Sequence, residues 1–456
     1  MMAAICKAAN PKLKAFYNRY SPAIRQAITG IQKWFFEHGD RWNQTLLIFL
    51  AGFLRFWRIE TPNALVFDEV YFSVFANNYL EHAHFFDSHP PLGKYLIALG
   101  IRFFGFIPFG YRCMDALFGI GVVILIYRLG ALLFNDCRVG FLAGLFAALD
   151  GVLLVESRAG LINTFAVFFS LAAYYLFLRA GGENLHRPRW VYLAGAGICI
   201  GSGIAVKWIG VAGFGVILTV YLAAKAQQQW PIAGRLLPSN GIMQRLGNIH
   251  PDLFLLCCVA LPAIVYAASF IIHLQKIPEF HFFELQRQIF GYHAHLQAQH
   301  GYASPWWSWP LLIRPVSYYW QHNHATQTVT AILNLGNPVL WWLAIPAVVF
   351  GIWFAVFRRH FGAGFVVFAI VCHYLPFSQI SRPSYIYHFM GALPFAIILL
   401  AFAVVELWRF NGWRRELAAF AVFAIILCAI YFYPIWTALP IPVGAYYQRM
   451  WFLSWI

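Results

Sequence analysis

The chain has 456 residues, 61% hydrophobic and only 11% charged, with a net charge of +15. Soluble domains hold about 45–50% apolar and about 25% charged residues, so a water-soluble globule, a disordered chain, collagen and a coiled coil are excluded. A polytopic membrane protein remains. Its surplus of Lys and Arg reads as positive-inside bias instead of nucleic-acid binding.

Residues 1–42 form a cytoplasmic basic arm with Lys7, Lys12, Lys14, Arg19, Arg25, Lys33 and Arg41. No apolar core precedes residue 43, so a cleavable signal peptide is not expected. The hydropathy pattern predicts 11 spans, at roughly 43–58, 109–134, 139–156, 161–179, 190–206, 208–226, 252–273, 338–357, 361–377, 385–408 and 416–436. Tyr95–Phe106, in the first external loop (59–108), is short for a span and reads as an interfacial helix. The large external loop is 274–337 and the external tail is 438–456, so residues 43–437 make one transmembrane domain. With the N-terminus inside, 20 of the 32 Lys and Arg fall on the cytoplasmic side. Eight Cys are scattered with none in a long external loop, and no disulfide framework is implied.

Charges within or at the edge of a membrane are costly and mark functional candidates. Independent spans bring Asp68, Glu69, His89, Lys94, Arg112, Glu156, Arg158, Lys207, Arg382 and His388 to the external edge. Asp68-Glu69 lies inside an aromatic run, where one carboxylate suits a general base and the other a positioning role. An acidic helix start or an ion pair is the plainer reading. Phe86-Asp87-Ser88-His89-Pro90-Pro91-Leu92-Gly93-Lys94 builds a rigid turn before the interfacial helix, with His89 and Lys94 placed for a sugar hydroxyl or phosphate. Arg112, Lys207 and Arg158 are cations at span ends that together suit a phosphate, although single cations snorkel at such ends. His293-Ala294-His295 lacks acidic or Cys neighbours, so no metal is expected. Trp306 and Trp307 belong either to an interface belt or to a sugar-stacking wall.

At these residues the sequence resembles the protein O-mannosyltransferase family, membrane glycosyltransferases of the GT-C class. Phe67-Asp68-Glu69-Val70-Tyr71-Phe72 and the His89-Pro90-Pro91-Leu92-Gly93-Lys94 run carry it most strongly. Tyr111-Arg112, Glu156-Ser157-Arg158, Lys207-Trp208, the Trp306–Trp320 loop and Tyr387-His388 add to it. One position departs: members often carry Leu-Leu-Asp where this chain reads Leu161-Ile162-Asn163. The large external MIR domain of eukaryotic members is absent, since 274–337 is too short for one. That implies a bacterial-type enzyme in the inner membrane with its site on the periplasmic side.

The resemblance implies an all-α polytopic GT-C fold. It also implies inverting transfer of mannose from polyprenyl-phosphate mannose (undecaprenyl or dolichyl) to Ser or Thr of an acceptor protein, with no cofactor. Asp68 is the expected base and Glu69 the positioning carboxylate. Arg112, Lys207 and Arg382 are expected at the donor phosphate. His89, Lys94, Arg158, Trp306, Trp307 and His388 are expected at sugar or acceptor. A relative moving another lipid-linked sugar, such as aminoarabinose to lipid A, would use the same layout. A secondary transporter would show inverted repeats, and none is seen. A lipid scaffold without chemistry would not depend on Asp68.

Overall fold

The computed structural model describes residues 40–456 apart from 82, 84, 231–239, 278–280, 297–299 and 381. Most of the predicted basic arm therefore lies outside the described residues. In chain order the helices are α1 (Asp40–Phe56), α2 (Glu69–Glu81), α3 (Leu92–Phe104), α4 (Pro108–Phe134), α5 (Cys137–Ala148), α6 (Gly151–Glu156), α7 (Asn163–Ala180) and α8 (Arg189–Val206). They continue as α9 (Val211–Gln229), α10 (Gly241–Gly247), α11 (Pro251–Lys276), α12 (Phe282–His295), α13 (Pro338–Phe357), α14 (Phe361–Tyr374), α15 (Leu393–Trp408) and α16 (Trp413–Trp436).

Among the described residues, eight helical stretches are long and apolar enough to cross a membrane. They are α4, α7, α8, α9 with the turn before it, α11, α13, α14 with the turn after it, and α16. Each matches a predicted span to within a few residues. The other three predicted spans are shorter or interrupted. The first is the 17-residue α1. The second breaks between α5 and α6, because the buried Asp150 carboxylate caps α6 through Leu153 N (3.0 Å) and also accepts from Trp341 Nε1 (2.6 Å). The third begins as a 3-10 turn, Ile386–Gly391, before α15. The chain is an integral multi-pass membrane protein.

The interfacial helix expected near 95–106 is α3, and α2 precedes it in the same loop. Helix α4 is the hub, packing against α1, α3, α5 and α7. Gly93 opens α3 against the rest: a Cβ there would sit 2.7 Å from Ile162 Cγ2 and 3.3 Å from Val206 Cγ1. That close approach brings the first loop over the start of α7 and the end of α8.

The helical reading of the sequence contained no sheet, and the structure adds a small one. Strands β1 (Val316–Asn323) and β2 (Thr328–Asn334) pair antiparallel, and β3 (Ile441–Pro442) from the C-terminal segment joins β2. The register slips between Ser317 and Tyr319, so Tyr318 is a bulged residue. Bulges re-aim side chains, and this one turns Tyr318 inward, where it is buried.

Candidate active site

Asp68 and Glu69 are neighbours with opposite surroundings. Glu69 begins α2 and is fully buried. Its Oε1 accepts from Arg112 Nε (2.7 Å) and Gly160 N (2.8 Å), and its Oε2 from Arg112 Nη2 (2.8 Å) and Val66 N (2.8 Å). Gly160 is required for this approach, because a Cβ there would lie 2.4 Å from Ser73 Oγ and 2.6 Å from the Tyr111 carbonyl oxygen. Asp68 sits one residue earlier, half-buried, and its carboxylate has no hydrogen bond among the described residues. Burial pushes it up to about 6, against the opposing pull of Lys207 and His300.

The backbone just before Asp68 is strained. Phe67 has φ +47°, a left-handed conformation that costs a non-glycine residue roughly 1–3 kcal/mol. Its ring is held by a stack on Tyr318 (4.1 Å, 8°) and an edge contact with Tyr387 (5.9 Å). Those contacts fix the direction in which Asp68 leaves the helix start.

Asp68 opens into a chamber of about 470 Å³ that also takes in Lys207, Arg382, His89, His293 and His388. A second chamber of about 630 Å³ shares Lys207, Arg382 and those three histidines, then continues between apolar walls that include Ile209, Val211, Phe377 and Ile380. Two cations thus stand where a polar chamber meets an apolar one. Lys207 follows the end of α8, gives one N–H to Asn163 Oδ1 (2.9 Å) and lies over the Tyr387 ring (5.9 Å). Burial and the nearby Arg382 bring it down to about 8. The Arg382 guanidinium has no hydrogen-bond partner among the described residues. His89 is held well below its usual range by burial and by Lys207, so its ring is neutral. The Nδ1 of His388 lies within hydrogen-bond distance of both the Tyr385 N–H (3.0 Å) and the Tyr385 carbonyl (3.1 Å), which seats the ring at the start of its turn.

Six residues expected at the site line neither chamber. Arg112 spends all five N–H groups on Glu69 and on the carbonyls of Ile59, Pro62 and Ala64 (2.7–3.0 Å). Nothing is left for a phosphate. Glu69, its partner, lines neither chamber and positions the first loop instead of a ligand. Lys94 is fully buried and closes the His-Pro-Pro-Leu-Gly turn through Asp87 and the carbonyls of His89 (2.9 Å) and Pro90 (2.5 Å). Arg158 gathers the last carbonyls of α1 and its exit, at Leu54, Arg55, Trp57 and Arg58 (2.7–3.3 Å). A cation belongs at a helix C-terminus, where four carbonyls lack partners. Trp306 and Trp307 line neither chamber: Trp306 packs edge-on against Tyr374 (5.1 Å), and Trp307 is exposed.

Other residues enter to which the sequence reading gave no role. Glu156 is fully buried and accepts from Tyr318 Oη, Asn334 Nδ2 (2.8 Å) and Asn163 Nδ2 (3.0 Å). Asn163 therefore links Glu156 to Lys207, donating to one and accepting from the other. Trp309, buried in the tryptophan-rich loop, stacks on His388 (6.0 Å, 21°). Two of them carried a signal in the sequence: Glu156 as a rare charge near the membrane edge, and Asn163 as the departure from the Leu-Leu-Asp pattern. His293 bonds the Ser88 carbonyl (2.8 Å) and His295 that of Gly291 (2.9 Å), so the two rings serve different partners.

Comparison with known proteins gives the family and the fold. Residues 45–108 and 107–277 match the family model described as dolichyl-phosphate-mannose-protein mannosyltransferase. Residues 279–455 match the C-terminal four-transmembrane region of protein-O-mannosyltransferase. The chain belongs to the protein O-mannosyltransferase family. Polyprenol-phosphate-mannose–protein mannosyltransferase of Mycolicibacterium smegmatis is 28% identical, over 92% of this chain and 94% of that protein. The Corynebacterium glutamicum protein of the same name is 28% identical over 80% and 81%. Among solved structures, the S. cerevisiae Pmt1–Pmt2 complex bound to the sugar donor superposes with TM-score 0.78 at 15% identity, covering 91% of this chain and 92% of that one. ArnT from Cupriavidus metallidurans bound to undecaprenyl phosphate gives 0.57 at 16%, covering 89% and 71%. Both likenesses establish a GT-C fold, and family membership removes the transporter and scaffold readings.

Proposed function

We propose that the chain moves mannose from a polyprenyl-phosphate-mannose donor to Ser or Thr hydroxyls of acceptor proteins, with inversion, at the periplasmic face of a bacterial inner membrane. The relatives' activity supports the reaction class. The observation that carries the mechanism is the unbonded Asp68 carboxylate facing Lys207 and Arg382 across one chamber. A hydroxyl is a poor nucleophile and needs a base. Asp68 takes its proton as the oxygen attacks the anomeric carbon from the face opposite the phosphate. The bond from that carbon to the phosphate oxygen breaks, and the polyprenyl phosphate leaves with the electron pair. Lys207 and Arg382 hold that developing charge, so neither an acid nor a metal enters the proposed step. The apolar chamber beyond them suits the isoprenoid tail. Neutral His89, with His388 in the same chamber, suits sugar hydroxyls. Glu69 is fully bonded, which leaves Asp68 as the base of the pair.

Membranes containing the protein, supplied with radiolabelled undecaprenyl-phosphate mannose and a Ser/Thr-rich acceptor, test this. Transfer by wild type that collapses in Asp68→Asn at equal expression is expected. Transfer that survives in Asp68→Asn overturns the base. Turnover only of a lipid-linked aminoarabinose would overturn the substrate.

A further inference from the structure

At the end of the molecule opposite Asp68 lies a second built cavity, of about 600 Å³. Helix α4 separates the two: Arg112 is in its first turns, and Leu132, Leu133 and Phe134 at its last turn line the cavity, about 30 Å further along the helix. Four arginines converge there from three separate segments. Arg179 comes from the last turn of α7, Arg245 from α10, and Arg358 and Arg359 from the turn between α13 and α14. The only acidic residue in the lining is Glu183, which is exposed.

Positive-inside bias alone places arginines at this end. It does not decide which of them have a carboxylate partner. Nearby on the same end, Arg138 and Arg409 both pair with Asp136 (2.7 and 2.9 Å), and Arg409 also with Glu406 (2.5 Å). Among the described residues no carboxylate pairs with Arg179, Arg245 or Arg358. Arg245 is also seated: its Nε donates to the Gly181 carbonyl (2.7 Å), and its two Nη groups lie 3.1 and 3.2 Å from where a Cβ on Gly241 would be. The 14-residue α14 starts in the wall. His360 caps it through Ala363 N (3.1 Å), and the N–H groups of Phe361 and Gly362 are left at the positive end of the helix dipole. Converging cations of this kind repel one another unless an anion sits between them.

We propose that this cavity binds the phosphate-bearing headgroup of an anionic membrane phospholipid. The phosphate sits among Arg179, Arg245 and the start of α14. The apolar wall of Leu132, Leu133 and Phe134, at the ends of spanning helices, meets the glycerol and upper acyl chains. A soluble phosphate compound has the same charge but no use for that wall.

The test uses purified full-length protein in a neutral detergent. Thermal unfolding and native mass spectrometry are recorded with phosphatidylglycerol, phosphatidylcholine or inorganic phosphate added. Phosphatidylglycerol is expected to raise the unfolding temperature and to remain bound where phosphatidylcholine does not. Arg179→Gln with Arg245→Gln is expected to weaken that binding about tenfold or more, since a charged hydrogen bond contributes about 1.5–3 kcal/mol. Arg358→Gln, on an exposed turn that tolerates change, gives a smaller loss in the same direction and covers the case of a misfolded double variant. Arg138→Gln, outside the cavity, leaves binding unchanged. Equal shifts with both lipids, or a double variant that binds as wild type, overturn the site. A shift of the same size with inorganic phosphate overturns the lipid as its occupant.

Discussion

Two adjacent carboxylates divide the first external loop into a region that builds and a region that reacts. In the Glu69–Arg112 pair every side-chain polar atom has a partner: five N–H groups of one arginine, two backbone amides and four carbonyl or carboxylate acceptors interlock. Around Asp68, Lys207 and Arg382 the charges face a chamber with donors and acceptors to spare. Sequence position, charge and proximity to the membrane edge are nearly the same for both groups. Bonding saturation separates them. A buried ion pair with all its hydrogen bonds made has no capacity left for a substrate. An unsaturated one carries a standing desolvation cost that a ligand relieves.

The sharpest way to break this contrast is to neutralise each carboxylate in turn. Asp68→Asn is expected to lower the transfer rate by roughly 10²–10⁴-fold, the range for loss of a general base, with the protein folded as before. Its unfolding temperature stays level or rises. The sign follows from the direction of the shift. Asp68 has a folded-state pKa near 6, above its ordinary 3.8, so the fold disfavours the charged form and stability falls as pH rises through that interval. Glu69→Gln strands the buried Arg112 charge and is expected to cost about 3–5 kcal/mol of stability. It appears as lost folded protein in a detergent melt, before any rate is measured. A Glu69→Gln variant that folds normally but is inactive would reverse the two roles.

The pH profile of transfer gives a finer test. Rate is expected to fall below about pH 6 as Asp68 takes up a proton and above about pH 8 as Lys207 loses one. Lys207→Arg keeps the acid limb and moves the alkaline limb upward. Asn163→Asp removes the donor to Glu156 and sets a carboxylate against Lys207, which raises the lysine pKa and draws its charge away from the phosphate. A donor KM increased roughly threefold to tenfold is expected, about 1 kcal/mol of lost attraction. At the small end, Trp307→Ala should change stability by less than about 0.5 kcal/mol and transfer by less than about twofold, as for an exposed side chain outside the chambers.

The sequence makes much of this molecule legible, unevenly. Long apolar runs read well because a span needs only length and hydropathy. The break at Asp150 does not read, because its partners Trp341 and Asn337 lie far along the chain and make a buried acid acceptable within an apolar run. The β1–β2 hairpin is invisible to a reading tuned to helices, and with it Tyr318 and Asn334, which reach Glu156. Among charges, Asp68, Lys207 and Arg382 are findable because they are rare and near the membrane edge. The same rule selects Arg112, Lys94 and Arg158, whose acceptors are mostly backbone carbonyls that no side-chain pattern announces. Charge rarity therefore finds where polar groups gather, and only hydrogen-bond bookkeeping says which of them are free.

The left-handed turn at Phe67 ties the start of the chain to its later part. The aim of Asp68 depends on Tyr318 in the hairpin and Tyr387 after α14, residues made some 250 and 320 positions later. During synthesis, segments fold roughly from the N-terminus onward. A growing chain therefore exposes its acidic loop long before that loop has rings to brace it, and the carboxylate is aimed only once the late spans are in place. Timing is thus built into the enzyme: a partly inserted copy carries Asp68 in its sequence without the rings that aim it.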